Sequence, residues 1–231
     1  MQVTVIIPVY NAELYVEKAV HSALAQEETG EVILIEDGSI DGSYSLCKKL
    51  AEENELIKLY RHEHGQNLGA GASRNLGLIN SQFPLISFLD ADDYYLSNRF
   101  KKKLEVFAVH PDADGVYESI GVEFDCEESE RRFIESGWPA RMAVREYVKP
   151  ADLFEKLLKG GIGSWHTDGI VVKKSIFDKS GIFDPSFRIA QDTHLWIRMA
   201  GVGNLYPGNS AVPVGICRIH KTNRVMGKKQ N

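Results

Sequence analysis

"LISFLDADDYYL", Leu85 to Leu96, runs five apolar or β-prone residues straight into three aspartates within four positions. Like charges crowded at the end of a buried strand repel one another and lose hydration, so folding alone gives little reason to keep them. A metal ion, a basic side chain or water must meet them. The run itself reads as a strand, and strand-like runs precede it at short spacing. "VTVIIPV" (Val3–Val9) is a continuous β-branched run of the kind buried on both faces. Asn11 then offers an N-cap to a helix whose apolar stripe is Val16, Ala19, Val20, Ala23 and Leu24. "EVILIED" repeats the strand, Asp41 or Ser43 can cap a helix through Leu46 and Leu50, and "LIKLYR" is a third strand. "GAGASRNLGLIN" is a loop entering a helix, and after "PLISFLD" Ser97 can cap a helix carrying Phe100, Leu104 and Phe107. This alternation predicts an α/β fold, a mostly parallel central sheet with helices on both faces, which binds ligands beyond the carboxyl ends of its strands.

The regularity breaks after Pro111. "ADGVYESIGVEFD" alternates like one strand, the charged "CEESERRF" reads as a turn or exposed loop, and "PADLFEKLLKGG" as a short helix ended by glycine. The expected organisation is a single domain, residues 1–110 forming a ligand-binding half and 111–231 a mixed α+β half on the same sheet. The tail "RVMGKKQN" is polar and slightly basic.

A net charge of -5 argues against a general nucleic-acid binder. Cys47, Cys126 and Cys217 are widely spaced and lack a CxxC pair, which favours reduced thiols in a cytoplasmic setting. The opening "MQVTVIIPVY" is a strand pattern and not a signal peptide, and no run reaches membrane-spanning length.

Pro8, Tyr10 and Asn11 end the first strand, Glu36 and Asp37 the second, and Asp90, Asp92 and Asp93 the fourth, so the topology gathers them on one rim. Paired acids there suit a hard divalent cation, with a substrate phosphate completing its ligands. Asp and Gly are also common turn formers at strand ends, and Asp37 and the DxD read equally as turn chemistry. "GQNLGAGASRNLG" (Gly65–Gly77) brings backbone amides to a helix N-terminus, where anions are favoured, with Arg74 able to pair with a phosphate or stack on a base. It is neither a P-loop nor a dinucleotide fingerprint.

Six blocks in order, "VIIPVYNAELYVEKAVHSALAQ", "ILIEDGSIDGS", "NLGAGASRNLG", "FLDADD", "FDPSFRIAQDTHLWIRMA" and "CRIHKTN", resemble the family 2 glycosyltransferases of GT-A fold. The segment Val116 to Lys159 matches little. The resemblance implies a Rossmann-like GT-A domain that moves a sugar from a nucleotide diphosphate to an acceptor hydroxyl with inversion. It assigns Pro8, Tyr10, Asn11, Asp37, Asn67, Arg74 and Asp90 to the nucleotide, and Asp92 and His220 to a divalent metal, Mn²⁺ or Mg²⁺. Relatives carry Glu-Asp ahead of Leu-Trp-x-Arg, where the aspartate is the general base; here the pair is Gln191 and Asp192, and the role falls to Asp192. A UDP-sugar donor, a glycan or lipid-linked acceptor in cell-surface polysaccharide synthesis, and a cytoplasmic enzyme at the inner membrane face follow from family habit.

Trp165, His166 and Asp168 are candidates for donor-sugar or acceptor contacts, since aromatic faces stack on sugar rings. Trp196 reads as core, Glu36 as structural, and His62, His64, His110 and His194 as solvated. Lys101 to Lys103 form a solvated helix face that would at most support peripheral contact with an anionic membrane. Two other readings stand beside the transferase. "SFLDADD" is also similar to the strand and DxD of haloacid-dehalogenase-like phosphatases, although three strand-helix units precede it here. A non-catalytic nucleotide-sugar-binding relative is the other, against which Asp192 and His220 count.

Overall fold

The computed structural model describes residues 1–139, 141–187, 189–221 and 223, so the basic tail lies outside the described residues. The first half alternates as its sequence predicts: β1 (Val3–Val9), α1 (Val16–Leu24), β2 (Thr29–Glu36), α2 (Ser43–Glu53), β3 (Ile57–Arg61), α3 (Ala70–Asn80) and β4 (Leu85–Phe88). There follow β5 (Tyr94–Tyr95), α4 (Lys101–Val109), β6 (Gly115–Tyr117), β7 (Ile120–Phe124), α5 (Glu127–Ser136), β8 (Arg141–Met142) and α6 (Pro150–Lys159). The last elements are β9 (Ile170–Lys173), α7 (Phe177–Ser180), α8 (Gln191–Val202), β10 (Leu205–Pro207) and β11 (Gly215–Ile219).

A seven-stranded sheet has the order β10-β6-β9-β4-β1-β2-β3, with β9 antiparallel to both its neighbours and every other pair parallel. It draws β1 to β4 from the first half and β6, β9 and β10 from the second. Alternate residues of β1 enter two cores. Val3, Val5, Ile7 and Val9 pack with Val16, Ala19, Val20 and Leu50 of α1 and α2, while Ile6 packs with Leu78 of α3 and Trp196 of α8. With helices on both faces, both registers of each strand must be apolar, which is why the runs read as continuous instead of alternating. Gly77 lets α3 lie close on β1: a Cβ there would stand 2.5 Å from Ile6 Cγ2.

Several expectations need correction. "ADGVYESIGVEFD" is two strands, not one: β6 joins the large sheet and β7 a second sheet of order β5-β11-β7-β8, the chain switching at buried Glu118 and Ser119. The charged run after Cys126 is helix α5, with Ser129 and Phe133 buried and Gly137 ending it in the left-handed conformation. A helix so polar can form because a narrow apolar stripe is all it buries. Asn11 does not cap α1, nor Ser97 α4, whose cap positions are Tyr15 and Phe100 without side-chain bonds. At α2 the cap position is Gly42, with Asp41 Oδ1 still accepting from the Ser43 amide at 3.0 Å. Lys103 is not on a solvated face; it is fully buried and 2.6 Å from Glu118 Oε2. No helix among the described residues is long and apolar enough to cross a membrane.

Candidate active site

The rim beyond the carboxyl ends of β1, β2 and β4 is tied together by side-chain to backbone bonds. Asn11, with φ +49°, turns the chain out of β1; its amide donates to Ser39 Oγ at 3.1 Å and its Oδ1 accepts from the Ile40 amide at 2.9 Å. Asn is among the few side-chain-bearing residues that tolerate this conformation. Pro8 is buried within β1, and Tyr10, 41% exposed, stands at its end. Asp37 is only 2% exposed, and both its oxygens accept from the glycine-rich loop, Oδ1 from the Leu68 amide at 2.8 Å and Oδ2 from the Gly69 amide at 2.9 Å. Burial raises its pKa against those bonds. Asp37 therefore shapes the loop instead of presenting a free carboxylate. Asn67 Nδ2 donates to the Asp37 carbonyl at 2.9 Å, and Gly38, at φ +74°, lies where a Cβ would stand 2.6 Å from the Gly65 carbonyl oxygen.

Each aspartate of the "DADD" turn is held by a different element. Arg74, in α3, donates to Asp90 Oδ1 at 2.5 Å. Asp92, with its side chain 31% exposed, lies 3.0 Å from His220 Nε2, 128 residues away, and accepts from Asn223 Nδ2 at 3.2 Å. The His220 ring is stacked on Tyr15 at 4.6 Å. Asp93 is buried and its Oδ1 accepts from the Arg218 amide at 2.7 Å.

The direction of β9 explains what meets these acids from the second half. Being antiparallel, β9 enters the sheet at the rim, so the turn before it, His166 to Gly169, stands beside Asp90. Asp168 is fully buried and accepts from the Asp90 amide at 3.0 Å, with His166 Nδ1 3.2 Å from its Oδ2. Burial disfavours charge on His166, but Asp168 first, then Asp90 and Asp192, outweigh it and raise its pKa to about 9. Burial likewise opposes charge on Asp168, yet His166 and its hydrogen bonds hold that carboxyl below its ordinary value. Burial first, and then the neighbouring charges of Asp168 and Asp92, push the Asp93 carboxyl well above its ordinary value. Burial raises Asp90 as well, against the opposing charge of Arg74.

Helix α8 starts at the same rim after Ala190, whose φ of +58° is strained for a residue with a Cβ. Asp192 is its second residue, and its Oδ2 accepts from Thr167 Oγ1 at 3.3 Å. The first turns of α3 and α8 come close to one another: a Cβ on Gly71 would stand 2.5 Å from Gln191 Oε1. Anions are favoured where two helices present their free amides.

The structure thus gathers Arg74, Asp90, Asp92, His166, Asp168, Asp192 and His220 on connected elements of one rim. It withdraws Trp165, which is 4% exposed, stacked on Tyr117 at 4.4 Å and packed near Trp196; the expected sugar platform is core. Asp168 is likewise a support for Asp90 and not an open sugar contact. Of the histidines expected to be solvated, His62 lies 3.0 Å from Ser73 Oγ, His110 stacks on Tyr206 and His194 on Phe187. Glu36 is structural, as read, paired with Arg61 at 2.5 Å. Sequence reasoning missed Thr167, Asn223, Tyr15 and the buried role of Asp93. The DADD run flagged Asp93, but nothing local marked the other three.

A parallel sheet with acids and helix N-termini converging on its carboxyl rim defines an α/β protein of GT-A type. The sequence profile of "Glycosyl transferase family 2" matches residues 4–180, and the chain belongs to that family. Membership sets aside the phosphatase reading. An "Uncharacterized glycosyltransferase" of Rickettsia felis is 29% identical over 213 residues, covering 88% of this chain and 32% of that one. One of Haemophilus influenzae, with the same description, is 37% identical over 103 residues, 44% of this chain and 40% of that one. The chain therefore spans well under half of either relative. Among solved structures, S. aureus TarS 1-349 in complex with UDP-GlcNAc superposes with a TM-score of 0.73 at 18% identity, over 99% of this chain and 62% of that one. The mannosyltransferase PcManGT from Pyrobaculum calidifontis, in complex with GDP-Man and Mn²⁺, gives 0.64 at 19% identity over 92% and 57%. Both share the GT-A fold.

Proposed function

We propose that this domain transfers a sugar, with inversion, from a nucleotide diphosphate to a hydroxyl of a glycan or lipid-linked acceptor, with UDP as the carrier and a divalent metal bound at Asp92 and His220. The observation that carries the reading is the convergence of Asp92 and His220, at 3.0 Å and 128 residues apart, beside an Arg74–Asp90 pair. A carboxylate and an imidazole at a partly open, acid-rich position are a donor set that fits Mn²⁺ or Mg²⁺. Such an ion supplies charge stabilisation for the leaving diphosphate.

The chain's own residues account for the rest. Tyr10, Asn11, Asn67 and the loop held by Asp37 frame the base and ribose, with Pro8 behind them in β1. Arg74, oriented by Asp90, reaches toward the diphosphate. His166, beside Asp168, which raises its pKa to about 9, suits an oxyanion or hydroxyl of the donor or acceptor. Asp192 accepts the proton of the attacking hydroxyl, a role worth roughly a hundred- to ten-thousand-fold in rate. In this reading the acceptor belongs to cell-surface polysaccharide synthesis at the cytoplasmic face of the membrane.

The UDP-GlcNAc complex of TarS favours a uridine carrier, and the Mn²⁺ of PcManGT favours a metal. The test is release of nucleoside diphosphate from a set of UDP-, GDP-, dTDP- and CDP-sugars with Mn²⁺, repeated with the metal chelated. Release from a UDP-sugar that chelation abolishes is the expected result. Retention of full turnover without metal removes the ion from the mechanism, and turnover of none removes the transferase reading.

A further inference from the structure

We propose that Thr167 is a positioning residue for the proton-accepting carboxylate of Asp192, and that the turn carrying it locks the base to the end of β4. The inference rests on Asp192 being the base.

The turn Thr167–Gly169 is fixed from several sides. Thr167 is 2% exposed and its Oγ1 donates to Asp192 Oδ2 at 3.3 Å. The next residue, Asp168, accepts from the Asp90 amide at 3.0 Å. The carbonyl of Gly169 accepts from the Glu118 amide at 2.9 Å, and a Cβ on Gly169 would stand 2.5 Å from the Glu118 carbonyl oxygen, so no other residue fits. Immediately afterwards β9 pairs with β4 and β6. The hydroxyl of Thr167 is thus presented from a rigid support. Asp192 is half-buried on the first turn of α8, behind the strained Ala190. With Oδ2 engaged by Thr167, Oδ1 is the oxygen left to accept a proton, and its direction is set by the same bond. A base held this way meets the attacking hydroxyl in one geometry, and such prealignment is a large part of enzymatic rate. Because Asp168 holds Asp90 from the same turn, the donor side and the acceptor side of the reaction share one support.

Thr167→Val removes the hydroxyl at nearly constant volume, and Thr167→Ser keeps it. The substrate is whichever nucleotide sugar of the UDP, GDP, dTDP and CDP set the wild-type chain turns over fastest. Thr167→Val is expected to lower kcat about ten-fold with donor KM within about two-fold, as for loss of a bond to a charged group. Thr167→Ser should recover most of that loss. In an Asp192→Asn background the Val substitution should cost less than about two-fold, because the hydroxyl then has no base to orient. Wild-type kcat in Thr167→Val, or the same loss in both backgrounds, overturns the proposal. If no donor is turned over, the transferase reading fails, and if Asp192→Asn leaves turnover intact, the reading of Asp192 as base fails; the inference falls with either. Should Thr167→Val not fold, as judged by melting, Thr167→Ala against Thr167→Ser makes the same comparison.

Discussion

At the rim, the acidic side chains Asp90, Asp92, Asp93 and Asp168 outnumber the cations Arg74 and His166 that face them, whereas in the interior the cations Arg99 and Lys103 outnumber Glu118. Both clusters touch β4 and β9 or the residues beside them, yet they resolve their surplus differently. The interior cluster is shut off from solvent, although Arg99 Nε and Nη1 have no hydrogen-bond partner among the described residues. Arg99 Nη2 donates to Ser87 Oγ at 2.8 Å and to the Ile170 carbonyl at 2.9 Å, and its guanidinium lies 4.6 Å over the Tyr95 ring. Lys103 donates to the Arg99 carbonyl at 3.0 Å as well as pairing with Glu118. Carbonyl dipoles and aromatic faces, which need no further partner, absorb the extra positive charge. At the rim burial instead raises Asp90 and Asp93 above their ordinary values, and Asp92 stays partly open beside His220. A surplus the protein settles internally is architecture, and one it leaves at an opening is a place for a ligand.

The sharpest way to separate the two is to remove one partner from each. Glu118→Gln leaves Lys103 buried without its carboxylate and should cost about 3–5 kcal/mol, read as the loss of stability in urea. Pairing it with Lys103→Met should restore much of that. If Glu118→Gln is silent, the interior cluster is not an ion pair that the fold depends on.

A smaller effect is expected at His166. Its pKa of about 9 lies above the ordinary 6.5, so its contribution is complete below pH 6.5 and is lost as pH rises through 9. Wild-type stability should decline across that window, and His166→Gln should flatten the decline. An unchanged slope would mean that the ring is not charged against Asp168. Smallest is Asp93→Asn. An asparagine keeps the oxygen that accepts from the Arg218 amide and removes a carboxyl whose ionisation burial disfavours, so the melting temperature should stay within roughly 2 °C. A large loss would show that the fold depends on the Asp93 carboxylate itself.

How much of this the sequence carried depended on the range of the partner. The four strands, α3 and the gathering of acids at the carboxyl rim were readable, because apolar runs and the turn chemistry that ends them are local. Helix α5 was hidden by composition: with only Ser129 and Phe133 buried, its pattern resembles a loop, although Gly137 was a readable stop. Lys103 could not be placed, since its partner Glu118 arrives through the sheet switch after β6. Trp165 misled because an aromatic beside His and Asp looks like a sugar platform, while its actual neighbours, Tyr117 and Trp196, are distant in sequence. Thr167 was invisible for a related reason: its partner Asp192 lies on another element, and a lone threonine has no pattern.

In the proposed function the partly open carboxylate of Asp92 receives a metal and, with it, a nucleoside diphosphate. Calorimetric titration of UDP, GDP, dTDP and CDP, each with and without Mn²⁺, into wild type and Asp92→Asn tests it directly. UDP is expected to bind wild type with Mn²⁺, and at least about ten-fold more weakly without the ion or in Asp92→Asn. Binding of none, or binding indifferent to both metal and substitution, would contradict it.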